Sequence, residues 1–122
     1  MYFVEADTTK RFVVISVAGQ VAAEEAREAA QRVRDLLEDI APSFVALADF
    51  RWLESMEAGA APFIGEIMDA FAARKVSAVV RVMPDPHKDI GLNILSQFHY
   101  GPEITVRTFE TLADAVQSLA GA

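Results

Sequence analysis

The sequence contains no cysteine, so neither a disulfide framework nor a thiolate zinc site is open to it. That suits a reducing, cytoplasmic setting. It has no long apolar run either. The longest uncharged stretch, residues 12–23, falls short of the roughly 20 apolar residues a membrane helix needs. The opening MYFVEADTTK places no basic region ahead of an apolar segment, so no secretory signal is expected. Basic residues are few: 11 Lys and Arg against 18 Asp and Glu leave a net charge of −7. Phosphate backbones are held by clustered Lys and Arg, whereas here the basic residues are interleaved with acids, which argues against nucleic acid. G-x-S-x-G, G-x-G-x-x-G and P-loop patterns are all missing, so hydrolase-elbow and nucleotide chemistry have no visible foothold. The two histidines, His87 and His99, fall at opposite ends of one predicted helix, roughly 18 Å apart by helical rise. One metal cannot bridge that distance, and no metal or cofactor is expected.

What is present is a chain of 122 residues with 52% apolar content, enough for one domain, residues 1–122, with a genuine core. Residues 2–6 and 11–18 (YFVEA, RFVVISVA) read as strands joined by turn chemistry at Asp7-Thr8-Thr9-Lys10, hence an antiparallel pair. Gly19-Gln20 is expected to end the second strand. A helix over residues 22–40 follows, its stripe Ala26, Ala29, Ala30, Val33, Leu36, Leu37 and Ile40, with Glu28–Arg32 and Arg34–Glu38 as outer i,i+4 pairs. After Pro42 comes a buried strand, residues 44–48, ending at Asp49. A polar loop then leads to a helix from about Ala60, with Pro62 in its first turn. Its stripe is Ile64, Ile67, Met68 and Phe71, and Arg74-Lys75 complement its C-terminal dipole. Residues 76–83 read as a strand, 87–100 as a helix and 104–107 as a strand. A closing helix is capped by Thr111, with Leu112, Ala115, Val116 and Leu119 facing inward. The order is ββαβαβαβα: an α/β protein with a single mixed, mostly parallel sheet of about five strands and about four helices.

That order, together with VALADFRWLESMEAGAAPFIGEIMDAF at residues 45–71, resembles the STAS domain, the fold of bacterial anti-sigma factor antagonists. In that family a buried strand runs into an acid-Ser-Ser/Thr-Gly loop opening the second helix, and the first hydroxyl is phosphorylated by a partner kinase. On this chain the loop is Glu54-Ser55-Met56-Glu57. Ser55 falls on the phosphoacceptor and Glu54 on the preceding acid, while Met56 and Glu57 stand where the family has a second hydroxyl and a glycine. The closing TFETLADAVQSLAG also looks like the family's final strand-to-helix junction. A divergent branch of STAS-like and Sec14-like small proteins, without the phosphorylation loop, is similar as well. The resemblance implies a cytoplasmic regulatory module with a partner protein of the anti-sigma kinase type.

Parallel strands bring their following loops to one edge, so the site is expected there. Ser55 is read as a phosphoacceptor or as a helix N-cap. Trp52 is read as a contact anchor or as a cover for the core edge. Asp49, Arg51, Glu54, Met56 and Glu57 complete the expected partner-contact stretch. His87, Lys88 and Asp89 open a helix, where they serve an anion or simply cap it. Three readings remain open. The first is a non-enzymatic protein-binding module using residues 49–57. The second is an apolar-ligand carrier with a pocket of at least about 300 Å³ lined by Phe63, Ile67, Phe71, Ile94 and Phe98. The third is a hydrolase using Ser55 or Glu54 with His87. Edge pairing of the first strand would make a homodimer.

Overall fold

The computed structural model describes residues 1–83 and 100–120. Five strands form one sheet in the order β1 (Tyr2–Asp7), β2 (Phe12–Val21), β3 (Val45–Met56), β4 (Ala78–Val82) and β5 (Thr105–Phe109). β1 runs antiparallel to β2, and every later neighbour is parallel. The hairpin turn is fixed by Asp7, whose Oδ1 accepts the Lys10 N–H at 3.0 Å. The mixed, mostly parallel sheet is therefore as expected. Three α-helices lie among the described residues: α1 (Ala23–Leu37), α2 (Ala61–Ala73) and α3 (Leu112–Ala120), with a short 3-10 turn at Ala58–Ala60. Apart from Tyr100, the helix expected over 87–100 lies outside the described residues.

Alternation divides the side chains between two faces. Val4, Val13, Ile15, Ala46, Ala48 and Val79 pack beneath α1 and α2 in the main core. Leu47, Val80 and Val82 point the other way and meet Ala115 of α3. Both faces of the central strands are thus dry, which is why β3 and β4 begin as continuous apolar runs rather than alternating ones. Val116, expected inward, is 48% exposed. Ala115 already fills the contact, and the next residue on a helix turns about 100° away.

The ends of the helices hold several departures from expectation. α1 stops at Leu37 rather than Ile40, although Ile40 remains buried. Its C-terminal carbonyls are satisfied from α2: Arg74 donates from Nε to the Ile40 carbonyl at 3.0 Å and from Nη2 to that of Glu38 at 3.2 Å. Arg74 therefore serves the end of α1 through its side chain. This accounts for two acids, Glu38 and Asp39, being tolerated at the negative end of that helix. Arg34 pairs with Glu66 of α2 at 3.3 Å in place of the expected Glu38, because α2 lies alongside.

α2 closes in a Schellman motif: the Val76 N–H bonds the Phe71 carbonyl and the Lys75 N–H that of Ala72, both at 3.0 Å. The motif needs a left-handed residue at its C′ position, and Lys75 occupies it with φ +62°. Lys75→Gly is expected to raise unfolding stability by about 0.5–1 kcal/mol in a urea titration. A loss of stability would show that the Lys75 side chain holds something the backbone does not.

Candidate functional site

β3 does not end at Asp49. It continues to Met56 beside β2, which itself runs through Gly19 and Gln20 to Val21. The stretch 49–57, expected as a loop, is mostly strand. Two register shifts make this possible: Ser16 pairs with Asp49 but Ala18 with Trp52, and Gly19 pairs with Leu53 but Gln20 with Ser55. Each shift inserts one extra residue into β3, as a β-bulge does. Gly19, at φ +71°, accommodates the second shift in a conformation that L side chains rarely adopt.

The first bulge is pinned by Asp49. Its Oδ1 accepts both the backbone N–H and the Nε–H of Arg51 at 3.0 Å, and its Oδ2 accepts from Nη2 at 2.9 Å. Asp49 is 8% exposed, and hydrogen bonding to it raises the Arg51 guanidinium above its ordinary range. A forked guanidinium–carboxylate pair of this kind is geometrically stiff. The Arg51 guanidinium carbon in turn sits 5.5 Å from the Trp52 ring centroid, a cation–π distance. Trp52 is 64% exposed. Asp49 therefore holds Arg51, Arg51 holds the indole, and the chain presents a large aromatic ring to solvent.

The other expected contact residues are distributed by the same bulges. Glu54 and Ser55 are exposed. Ser55 lies in the strand opposite Gln20 and does not cap α2, whose N-cap position is Ala60. Met56 is half-buried against the core. Glu57 turns back to α1: its Oε2 accepts the Ala23 N–H at 2.9 Å, while its own N–H donates to the Val21 carbonyl. It caps a helix from 34 residues away, complementing Glu24 and Glu25 in the first turn. Glu57→Ala is expected to cost about 1 kcal/mol in thermal or urea unfolding, with Glu57→Gln recovering most of it. Equal losses in both variants would contradict the cap.

Between the sheet and α1/α2 the described residues line an apolar cavity of about 50 Å³, with Ile67, Phe71, Arg81 and Tyr100 among them. Phe63 packs half-buried against the core and is not among the lining residues. Ile94 and Phe98 lie outside the described residues, as do His87, Lys88 and Asp89. The cavity is several-fold smaller than the roughly 300 Å³ of a small-molecule site.

Two residues there went unread in the sequence. Arg81 is buried and donates to Thr108 Oγ1 from Nε at 3.1 Å and Nη2 at 2.8 Å. The signal was a charge in the middle of the otherwise apolar AVVRV. Tyr100, at the end of the helix expected over 87–100, is buried as well. Burial pushes its phenol well above the ordinary range, with Arg81 opposing and Asp69 adding to the shift. The native state thus keeps this proton where the unfolded chain has lost it. Its contribution to stability is complete below about pH 10 and declines above it, by up to about 1.4 kcal/mol per pH unit. Tyr100→Phe is expected to flatten that alkaline decline in urea midpoints between pH 9 and 11, and an unchanged slope would contradict it.

Among the described residues no three His, Cys, Asp or Glu side chains are grouped to hold a metal ion. No described helix is long and apolar enough to cross a membrane.

No family model matches the sequence, and no curated protein matches it. Solved structures do. A protein of the DUF3478 family with a SpoIIAA-like fold from Shewanella loihica superposes with a TM-score of 0.72 at 18% identity, over 98% of this chain and 92% of that one. The anti-sigma factor antagonist SpoIIAA in its unphosphorylated form gives 0.65 at 15% identity, over the whole of both chains. The fold is STAS-like. The phosphorylated form of SpoIIAA from Bacillus gives 0.62 at 15% identity, over 98% of this chain and 99% of that one. At these identities the shared feature is the STAS-like fold itself.

Proposed function

We propose that this STAS-like chain is a regulatory protein-binding module, acting by contact rather than catalysis through the bulged end of β3. The observation that carries the reading is Trp52, an aromatic ring exposed to solvent yet fixed through Arg51 to a buried carboxylate. Tryptophan is enriched at binding hot spots, and a side chain ordered before the encounter loses less entropy on binding. Ser55 is exposed three residues further on in the same strand. Phosphorylation there would add about two negative charges beside Glu54 and so alter the surface a partner meets. The likeness to SpoIIAA, an anti-sigma factor antagonist solved in unphosphorylated and phosphorylated forms, supports a partner-switching module. A kinase of the anti-sigma type is the partner in this reading.

The test is affinity capture from native cells with four baits: wild type, Trp52→Ser, Ser55→Glu and, as a control on the far face, Glu28→Gln. The expected result is one regulatory protein retained by wild type and Glu28→Gln, lost with Trp52→Ser and altered with Ser55→Glu. Equal recovery with all four baits would contradict the reading.

A further inference from the structure

The two faces of the sheet are covered unequally. Among the described residues, α1 and α2 span one face, whereas the nine residues of α3 cover the other only around Leu47, Val80 and Val82. Directly paired residues share a face, so strand register identifies what lies on the uncovered part. One row is Phe3–Ser16–Asp49, the next runs through Ala18 to Trp52, and the next pairs Gln20 with Ser55. Phe3 is 54% exposed. It stands two strands from Trp52, about 10 Å across the sheet. Phe3 stands in an apolar run, Tyr2-Phe3-Val4, that does not say which of its side chains faces solvent. Among the described residues, α3 packs on β4 and β5 and stops short of β1, which leaves Phe3 open.

Acids border the two exposed aromatic rings. Glu5 shares its face, since it pairs with Val14 on the side of Leu47, and Glu54 projects from the second bulge. Among the described residues, the cations nearest Trp52 are both paired, Arg51 with Asp49 and the N-terminal ammonium with Glu25, while Arg107 shares the face only at its far edge, on β5. A second copy would bring the same acids and a further net charge of −7 against them. Exposed apolar patches rimmed by polar residues mark interaction sites, and the sign of the rim selects among occupants.

We propose that this open face, centred on Phe3 and Trp52, docks a basic, apolar-faced segment of another protein. Phe3 and Trp52 supply the apolar contact, and Glu5 and Glu54 meet lysine or arginine at the border. The inference rests on Trp52 being a contact residue and adds the chemistry of its partner.

Trp52 is the single tryptophan of the chain, so its fluorescence reports occupancy of this face. The probe is a synthetic amphipathic helix of leucine and lysine, titrated into the full chain, with its leucine–glutamate counterpart as control. The expected result is a saturable blue shift with the lysine peptide alone, weakened about tenfold between 0.05 and 0.5 M salt. Glu5→Lys and Glu54→Lys should each weaken it at least about fivefold. Glu28→Lys, the same charge change on the outer side of α1, should weaken it less than about twofold. Thermal melts confirm that the variants are folded.

No shift, an equal response to the glutamate peptide, or an equal loss with Glu28→Lys would overturn the inference. A blue shift that grows with protein concentration alone would assign the face to a second copy and also overturn it. If the peptide fails while capture from native cells still depends on Trp52, the partner chemistry is wrong and the proposed function stands.

Discussion

Trp52→Ser is expected to weaken binding of the regulatory partner by at least about 2 kcal/mol, roughly thirtyfold, while shifting unfolding stability by no more than about 0.5 kcal/mol. The two effects separate because the ring is mostly exposed in the free protein, so its removal opens no cavity. In the complex the same ring would be the largest apolar surface withdrawn from water at the contact. Arg51 remains forked onto Asp49 in the variant, so the bulge keeps its shape. Isothermal titration and urea unfolding on the same preparations supply both numbers. Parallel losses in the two measurements would make Trp52 a structural residue.

The largest effect on stability is expected from Phe71→Ala, at about 3–5 kcal/mol. Phe71 and Phe44 are 2% and 0% exposed. Their rings meet edge to face, with centroids 5.7 Å apart and an interplanar angle of 71°, an arrangement worth something beyond burial alone. This pair joins the middle of the molecule: Phe44 leads into β3, and Phe71 supplies the carbonyl that closes the Schellman turn after α2. Truncation would leave an unfilled hole between sheet and helix, in a domain whose total stability is on the order of 5–15 kcal/mol. The midpoint should fall by roughly 10–20 °C in a thermal melt. Phe71→Leu, which keeps most of the volume, should cost less than half as much. Equal costs for the two would place the energy in the ring contact rather than in packing.

The legibility of this chain in its sequence follows the regularity of its backbone. The hairpin, α1, α2 and the parallel order were readable because the strands are short apolar runs bounded by turn residues and the helical apolar residues recur at steps of three and four. The end of β3 was misread for a definite reason. Its inward residues fall at Ala48, Phe50, Leu53 and Met56, the last three being spaced by three because each bulge inserts a residue. That spacing fits neither a strand nor a helix, so DFRWLESM looks like a loop. The residues singled out there were therefore placed on the wrong kind of element, although several of them do meet at one end of the sheet. Asp49 and Glu57 illustrate what no local pattern carries. One side chain pins a bulge two residues ahead, and the other caps a helix that begins 34 residues earlier. Both depend on tertiary neighbours. The open face containing Phe3 could not be read either, because it is defined by where α3 stops.

The most direct test of the account is photocross-linking in native cells, with a benzoylphenylalanine placed at position 52 and, separately, at position 28 on the outer side of α1. Position 52 is expected to give one discrete adduct and position 28 none, and the adduct is expected to disappear when Ser55→Glu is added. No adduct from position 52, or the same adducts from both positions, would contradict the claim that the bulged end of β3 is where this protein meets its partner.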